Sequence, residues 1–336
     1  MTLRRLNLAA VAIALLVLVL GSLFSSREVA AACLVALVSM ACFPLGCLTL
    51  AMLLALVSGS WCDMLWSGTV RIARTTPLIG VMSIPVIIGM SRLCPWADSS
   101  FSGFRGFWLS PAGFAVRTFL YAAVWSALAL WALPRVRLRP GLAAAGALLM
   151  VLTLSAAGID WIMTLDERFY SSIFGLLYFA RVMLSAIAVA ILIALSRHAQ
   201  RPGVLRGVLV AALQVWLYLH FMQYLLIWSA DLPRETHWYL VRVEGLWRGV
   251  LWAIAVGQGV LVFLVLLFAV SERPLVLSGL CWITIASGLL ECAWLVTPSL
   301  EGLRPVAVIS FTLVAWLGYA ALLGQILVRK ESCLEH

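Results

Sequence analysis

Apolar residues occur in long runs along the whole chain, separated by short segments that carry most of the charge. A helix of about 20 apolar residues crosses the ~30 Å hydrocarbon layer of a bilayer. Helices also satisfy their backbone hydrogen bonds internally, as lipid requires, whereas a transmembrane barrel would show short alternating strands. The pattern therefore predicts an all-α, polytopic transmembrane helical bundle with ten spans, at residues 7–25, 30–57, 76–92, 112–134, 140–163, 169–196, 204–229, 248–270, 275–297 and 305–328.

Two parts of this pattern are irregular. The span at 30–57 is long and contains Pro44, which predicts a tilted or kinked helix. Residues 61–72 are amphipathic, and they either lie at the membrane interface or extend that helix. The apolar run after Arg4 and Arg5 is similar to a signal peptide but lacks a clean cleavage site, so it is expected to remain as the first helix.

Composition excludes a soluble globular domain. Apolar residues make up 64% of the 336 positions, charged residues make up 11%, and the mean hydropathy is +1.08. The net charge of +9 is interpreted through the positive-inside rule: thirteen basic residues fall on the side of the N-terminus and eight on the other. With an even number of spans, this bias predicts that both termini are cytoplasmic, and nothing else in the sequence indicates binding to nucleic acid.

Cysteine and histidine positions do not indicate a metal or haem site. The eight cysteines are scattered, without a Cys-x-x-Cys pair or a Cys/His cluster, and are interpreted as small buried apolar residues. Of the histidines His198, His220, His237 and His336, only His220 lies well inside a span, whereas a membrane cytochrome b needs paired axial ligands. The chain is therefore expected to bind no metal and no redox cofactor by itself.

Three ionisable residues interrupt the apolar spans and are candidates for function, because a charge inside a bilayer costs a few kcal/mol. From the rise of a helix, Asp160 lies roughly 5 Å, Glu291 roughly 9 Å and Arg181 roughly 18 Å from the outer end of its span. We predict that Arg181 and Glu291 reach each other, since a lone buried charge would neutralise or recruit water. Such a pair either locks helices together or takes part in function.

The seventh span has the densest polar pattern. Trp216, His220, Gln223 and Ile227 follow the i, i+4, i+7, i+11 stripe of one helix face, and Tyr224 lies beside it. Imidazole, amide and phenol groups on one face could hydrogen-bond a quinone carbonyl or carry protons through water. They could equally hold neighbouring helices together.

A segment rich in charged and aromatic residues follows at 230–247, and we interpret it as an outer loop. Trp and Tyr are typical of the headgroup region, which explains the aromatic residues by themselves. Docking to a periplasmic partner would also explain the charges, and the candidate docking residues are Asp231, Glu235, His237, Trp238 and Arg242.

Three blocks between residues 158 and 298 share their polar positions with one known family. Residues 158–175 are similar to F-D-W-I-M-S-L-D-P-H-W-F-S-T-I-F-G, residues 221–242 to F-S-Q-Y-L-L-I-W-Y-x-N-L-P-E-E-T-x-W-x-x-x-R, and residues 291–298 to D-x-x-W-x-x-x-P. These are the blocks of the F-type membrane subunit of alternative complex III, in the NrfD/PsrC-like superfamily. The chain thus resembles that subunit over helices five to nine.

The resemblance implies an NrfD-like fold of paired four-helix bundles with extra spans, in a bacterial inner membrane. It implies assembly with a paralogous C-type quinol-binding subunit, an iron–sulfur subunit and c-type haem subunits, which pass electrons from quinol to periplasmic acceptors. The F-type subunit is considered to hold no redox cofactor, and a proton-conducting role is often suggested for it.

The chain departs from the family pattern at several positions. It has Glu167 and Arg168 where Pro-His is usual, Arg234 in place of an acidic residue, Glu291 where Asp is typical, and Arg181 where a small residue is usual. It is also short for the family, which is consistent with a reduced complex or with one tied to a terminal oxidase. The whole chain is predicted to form one membrane domain, divided into unrecognised helices 1–4 (1–139), family-like helices 5–9 (140–300) and a last helix (305–328).

Three functions fit these observations. The leading hypothesis is a non-catalytic integral subunit of a quinol-oxidising respiratory complex, surrounded by membrane lipid, which acts as a scaffold and a proton path. The second is a quinone- or quinol-binding membrane anchor in its own right, with His220 or Asp160 as proton acceptor; the third, a secondary transporter, lacks the internal repeat expected of that class. The candidate residues of the polar path or quinone site are Asp160, Asp166, Arg181, His220, Gln223, Tyr224 and Glu291.

Overall fold

The computed structural model describes residues 2–57, 59–98, 101–197, 202–300 and 302–331, with the side chains of 6–57, 59, 61–97, 101–197, 202–300 and 302–324. These residues form helices joined by short turns, and no strand occurs among them. The prediction of an all-α polytopic bundle is therefore confirmed.

The helices follow one another with few intervening residues. The first half contains α1 (Thr2–Phe24), α2 (Ser26–Leu56), α3 (Ser60–Ala73), α4 (Leu78–Leu93), α5 (Gly103–Trp108), α6 (Pro111–Ala127) and α7 (Pro140–Trp161). The second half contains α8 (Phe174–Ser196), α9 (Pro202–Ala230), α10 (Pro233–Arg242), α11 (Gly245–Ile254), α12 (Phe263–Leu267), α13 (Pro274–Val296) and α14 (Pro305–Glu331). A π-helical segment, Ala255–Val262, joins α11 to α12, so that the two form one continuous span.

The chain is a multi-pass membrane protein. Over the described ranges, nine helices are long and apolar enough to cross a bilayer, and a tenth span results if the bent pair Trp61–Ala73 and Leu78–Leu93 is counted as one. The helix axis bends by 45° between the two helices of this pair. The amphipathic segment at 61–72 therefore belongs to a separate helix, α3, bent against α4, and does not extend α2, which ends at Leu56 before an extended Val57.

The centre of the bundle is α2. In its most apolar stretch, 94% of the residues are buried, and it packs against α3, α4, α7, α8, α13 and α14. Small residues allow this close approach: a Cβ added at Gly46 would lie 2.5 Å from the carbonyl oxygen of Val182 and 2.6 Å from Cβ of Ala186 on α8. The helices α9 and α13 are in turn positioned against α8, and α13 also contacts α2.

The first and last helices lie side by side at the edge of the bundle. In α1 only 6% of the most apolar stretch is buried, so most of its surface faces outwards. Arg304, just before α14, donates to the carboxylate of Glu28 and to the hydroxyl of Ser25, each at 2.9 Å, and Trp316 Nε1 donates to Ser39 Oγ at 2.8 Å. These bonds connect the turn between α1 and α2 to the start of α14, and the body of α2 to the middle of α14.

The structure corrects the predicted outer loop at 230–247. Most of it is the helix α10, which begins at Pro233, carries Glu235 in its first turn and ends at Arg242. The segment has three signals of a helix: proline at the first helical position, an acidic residue near the N-terminus and a basic residue near the C-terminus. The prediction of a loop gave more weight to the density of charged residues. Asp231, at φ 46°, forms the sharp turn between α9 and α10.

Candidate functional site

A buried carboxylate, Glu291 on α13, is the centre of the polar interior. Its Oε2 lies 3.0 Å from Nε of Arg181 on α8, which confirms the predicted pair. Its Oε1 lies 3.0 Å from Nε2 of His220 on α9, and the indole of Trp216 donates to Oε1 at 3.2 Å and to Oε2 at 3.0 Å. Two helices, α8 and α9, thus contribute three side chains that contact a single carboxylate on α13.

Arg181 has no access to solvent or lipid. Its side chain is 0% exposed, that of Glu291 is 1% exposed, and Arg181 Nη1 donates to the carbonyl of Thr284 at 3.4 Å. Glycine is required opposite the guanidinium, because a Cβ at Gly288 would lie 2.5 Å from Nη1. Neither Nε nor Nη2 of Arg181 makes a well-directed hydrogen bond within the described residues, although Nε lies 3.0 Å from the Glu291 carboxylate.

His220 connects this buried charge to the surface of α9. Its side chain is 24% exposed, and its ring centroid lies 4.5 Å from that of Trp216. An imidazole can accept a proton at one nitrogen and release one at the other. The arrangement is suited to exchange of a proton between the outer face of α9 and the Glu291 carboxylate.

Asp160 is the centre of a separate cluster of polar side chains between α6 and α7. Its Oδ2 accepts hydrogen bonds from Nε of Arg117 at 2.9 Å and from the hydroxyl of Tyr121 at 2.8 Å. Next to it, Trp161 Nε1 donates to Thr118 Oγ1 at 3.3 Å. Asp160 therefore shares no partner with Glu291 in the described part of the chain, and the candidate path residues fall into two groups.

The predicted polar stripe of α9 does face inwards. Trp216, Gln223 and Ile227 are all buried, and the side-chain oxygen of Gln223 accepts a hydrogen bond from Ser171 Oγ at 3.2 Å. Tyr224 is 52% exposed and contacts the ring of Tyr239 edge-on, with 5.9 Å between centroids. Gln223 thus joins α9 to the turn before α8, whereas Tyr224 lies on the outer face.

Two candidate docking residues on α10 are buried within the fold. Trp238 is stacked on Phe169, with 4.6 Å between ring centroids. Cζ of Arg242 lies 3.6 Å from the centroid of the Trp238 ring. Arg242 donates to the carbonyls of Trp238 and Leu295, at 2.8 and 2.7 Å. Trp238 and Arg242 therefore hold α10 against α13, and their side chains are not presented to a partner.

The other residues of this region are accessible. Asp231 is exposed, while Glu235, His237 and Asp166 are half-buried. Asp166 closes the turn before α8, where its Oδ1 accepts from the backbone N–H of Arg168 at 2.9 Å. Asp166 and His237 line one cavity together, so the α7–α8 turn and α10 are adjacent.

Sequence reasoning missed three polar residues. Arg117 and Tyr121 bind Asp160 from α6, and a signal existed, because Arg117 falls within a predicted span and needs a counter-charge. Gln258 is fully buried in the π-helical segment, and neither atom of its amide has a partner within the described residues. A buried amide of this kind costs about 1–3 kcal/mol unless water binds it.

The cysteines fit their predicted structural role. Of the seven within the described residues, six are buried and Cys33 is half-buried. Cys333, His198 and His336 lie outside the described residues.

Comparison with known proteins adds no assignment to these groups of residues. No protein-family model and no curated protein matches this chain.

Proposed function

We propose that this chain is an integral membrane subunit of a quinol-oxidising respiratory complex of the alternative complex III type, in the bacterial inner membrane, with both termini cytoplasmic. It serves there as a scaffold and as a proton path, and quinol oxidation and electron transfer belong to partners: a C-type quinol-binding subunit, an iron–sulfur subunit and c-type haem subunits. The observation that carries this proposal is the Glu291 carboxylate, buried among Arg181, His220 and Trp216.

This geometry favours a functional role over simple helix locking. A charged pair inside an apolar bundle is weak evidence for a stabilising role, because apolar residues of similar volume often stabilise the fold equally well in its place. Helix locking does not require the third member, His220, which extends the group to the outer face of α9. A buried acid that contacts a partly exposed imidazole is suited to a proton relay.

The sequence blocks support the same proposal. The positions on which the resemblance depends fold into the polar contacts of the bundle: Glu291 binds three partners, Asp160 binds two, and Gln223 joins α9 to the turn before α8. Burying polar residues of this kind in a membrane has a large free-energy cost, and such residues are typical of ion and proton pathways.

Purification of the tagged chain from its native membrane in a mild detergent tests the assembly. We expect haem-containing and iron–sulfur subunits to co-purify in fixed stoichiometry, detected by absorption spectroscopy and peptide mass spectrometry. Recovery as a lone monomer under conditions that keep other respiratory complexes intact would contradict the proposal.

A His220→Leu variant tests the proton path within such a complex. We expect the rate of quinol oxidation to fall on the order of 10²-fold, because leucine cannot exchange protons between the surface and Glu291. The matched control is Tyr218→Leu, two positions away on the same helix and 58% exposed, which should leave the rate unchanged. A normal rate in an assembled His220→Leu complex would reject the path.

One observation favours the alternative of quinone binding by this chain itself. A cavity of about 210 Å³ lies between α9 and α10, lined by Tyr224, Trp228, Asp231 and Tyr239 among others. Aromatic rings could stack on a quinone head group there, and burial raises the pKa of the Tyr239 phenol to about 12, so that it remains a hydrogen-bond donor. Stabilisation of the isolated chain by a short-chain quinol analogue, abolished in Tyr239→Phe, would favour this alternative.

A further inference from the structure

A separate cavity lies apart from Glu291, at the end of the bundle where α1 turns into α2. Its volume is about 500 Å³, within the range of ligand pockets. It is formed by the start of α2, the C-terminal end of α4, the turn between α7 and α8, α10, and the turn that follows α13. Helix ends on one side of a membrane bundle lie at the depth of lipid headgroups.

The lining of this cavity is strongly basic. Four arginines contribute to it, together with His237 and two acidic residues; the arginines are Arg27, Arg92, Arg168 and Arg242. Both carboxylates have other contacts: Asp166 binds the backbone N–H of Arg168, and Glu167 lies 4.0 Å from Arg105, outside the cavity. Within the described residues, Arg92 and Arg168 form no ion pair, so the cavity has an excess of positive charge.

Arg242 gives this cavity a fixed cationic wall. Its side chain is 1% exposed, and its Nη atoms are held by the Trp238 and Leu295 carbonyls and by Ser299 Oγ. Its Nε has no hydrogen-bond partner within the described residues. Burial lowers the pKa of the Arg242 guanidinium to about 9, against the influence of Asp166 and Tyr239, so a further anion nearby would stabilise its charge.

We propose that this cavity binds a phosphate group, supplied by the headgroup of an anionic phospholipid. Guanidinium groups bind phosphate oxygens in pairs of parallel hydrogen bonds, and arginine is the residue best suited to this geometry. The volume accommodates a headgroup with its glycerol, and the position at the helix ends brings that headgroup to its normal depth. The inference does not depend on a redox role for the chain.

Thermal unfolding of the purified full-length chain in a neutral detergent tests this site. Phosphatidylglycerol, phosphatidylcholine and inorganic phosphate are added separately at constant ionic strength, with chloride as the reference. We expect phosphatidylglycerol to raise the midpoint by about 3 °C or more, and phosphatidylcholine, which has no net charge, to have little effect. A rise with inorganic phosphate and none with phosphatidylglycerol would overturn the assignment to a lipid and show a phosphate site that is filled from solution.

Two double variants with the same loss of charge locate the effect. Arg92→Gln/Arg168→Gln removes two cavity arginines and should abolish the shift. Arg234→Gln/Arg248→Gln removes two exposed arginines near α10, outside the cavity lining, and should retain it. Equal shifts in both variants, equal effects of the two lipids, or no effect of any phosphate compound would overturn the proposal.

Discussion

A Glu291→Leu variant is expected to lose about 3–5 kcal/mol of stability, because it leaves the Arg181 guanidinium uncompensated in the interior of the bundle. Arg181 is 0% exposed and cannot turn towards water without unpacking α8 from α13. The loss is measured as a lower midpoint of thermal unfolding in detergent and as a smaller yield of monodisperse protein.

The double variant Arg181→Met/Glu291→Leu separates charge from packing. It should recover most of the stability, since apolar residues of similar volume often replace a buried ion pair without cost. Glu272→Gln, which breaks an exposed pair with Arg206, serves as the surface control and should change stability by less than about 1 kcal/mol. A double variant as unstable as Glu291→Leu would show that the side-chain shape, and not the unpaired charge, determines the loss.

Trp238→Ala is expected to destabilise the protein by about 3–5 kcal/mol and to release α10 from the bundle. The indole is stacked on Phe169, contacts Trp294 edge-on with 5.7 Å between centroids, and lies 3.6 Å from Cζ of Arg242. Truncation removes all of these contacts and leaves a cavity around a buried cation. Thermal unfolding measures the loss, and limited proteolysis between α9 and α11 should become faster.

The matched control is Trp228→Ala, near the end of α9, where the indole is 65% exposed. That variant should change stability by less than about 1 kcal/mol, because an exposed side chain leaves no cavity. If Trp238→Ala and Trp228→Ala behaved alike, the aromatic cluster would not be what holds α10 in place.

The separation of the two buried acids restricts the proton path. Asp160 is bound by Arg117 and Tyr121 between α6 and α7, whereas Glu291 is bound by residues of α8 and α9. Substitutions in the two groups should therefore have independent effects, because distant sites without shared partners are usually additive. The Glu291 group is the stronger candidate for the path, since the partly exposed His220 imidazole connects it to the surface of α9.

Much of this molecule could be predicted from the sequence. Apolar runs of membrane-crossing length predict the class and nearly all of the spans, because the bilayer requires such runs. The cost of an isolated charge in lipid predicts that Arg181 and Glu291 pair. The 3.6-residue period of α9 predicts that Trp216, His220 and Gln223 share one face, and burial confirms that this face is directed inwards.

Only the tertiary structure decided how the helices are arranged. Hydropathy cannot show that α2 is the central helix, because lipid and protein interior are equally apolar and helix association depends on small residues and close packing. The pairing of Asp160 with Arg117 depends on the relative rotation of α6 and α7, which no local pattern specifies. The burial of Trp238 and Arg242 likewise depends on where α10 packs against α13. The sequence thus determined the spans and the buried charges, while helix packing determined which residues those charges contact.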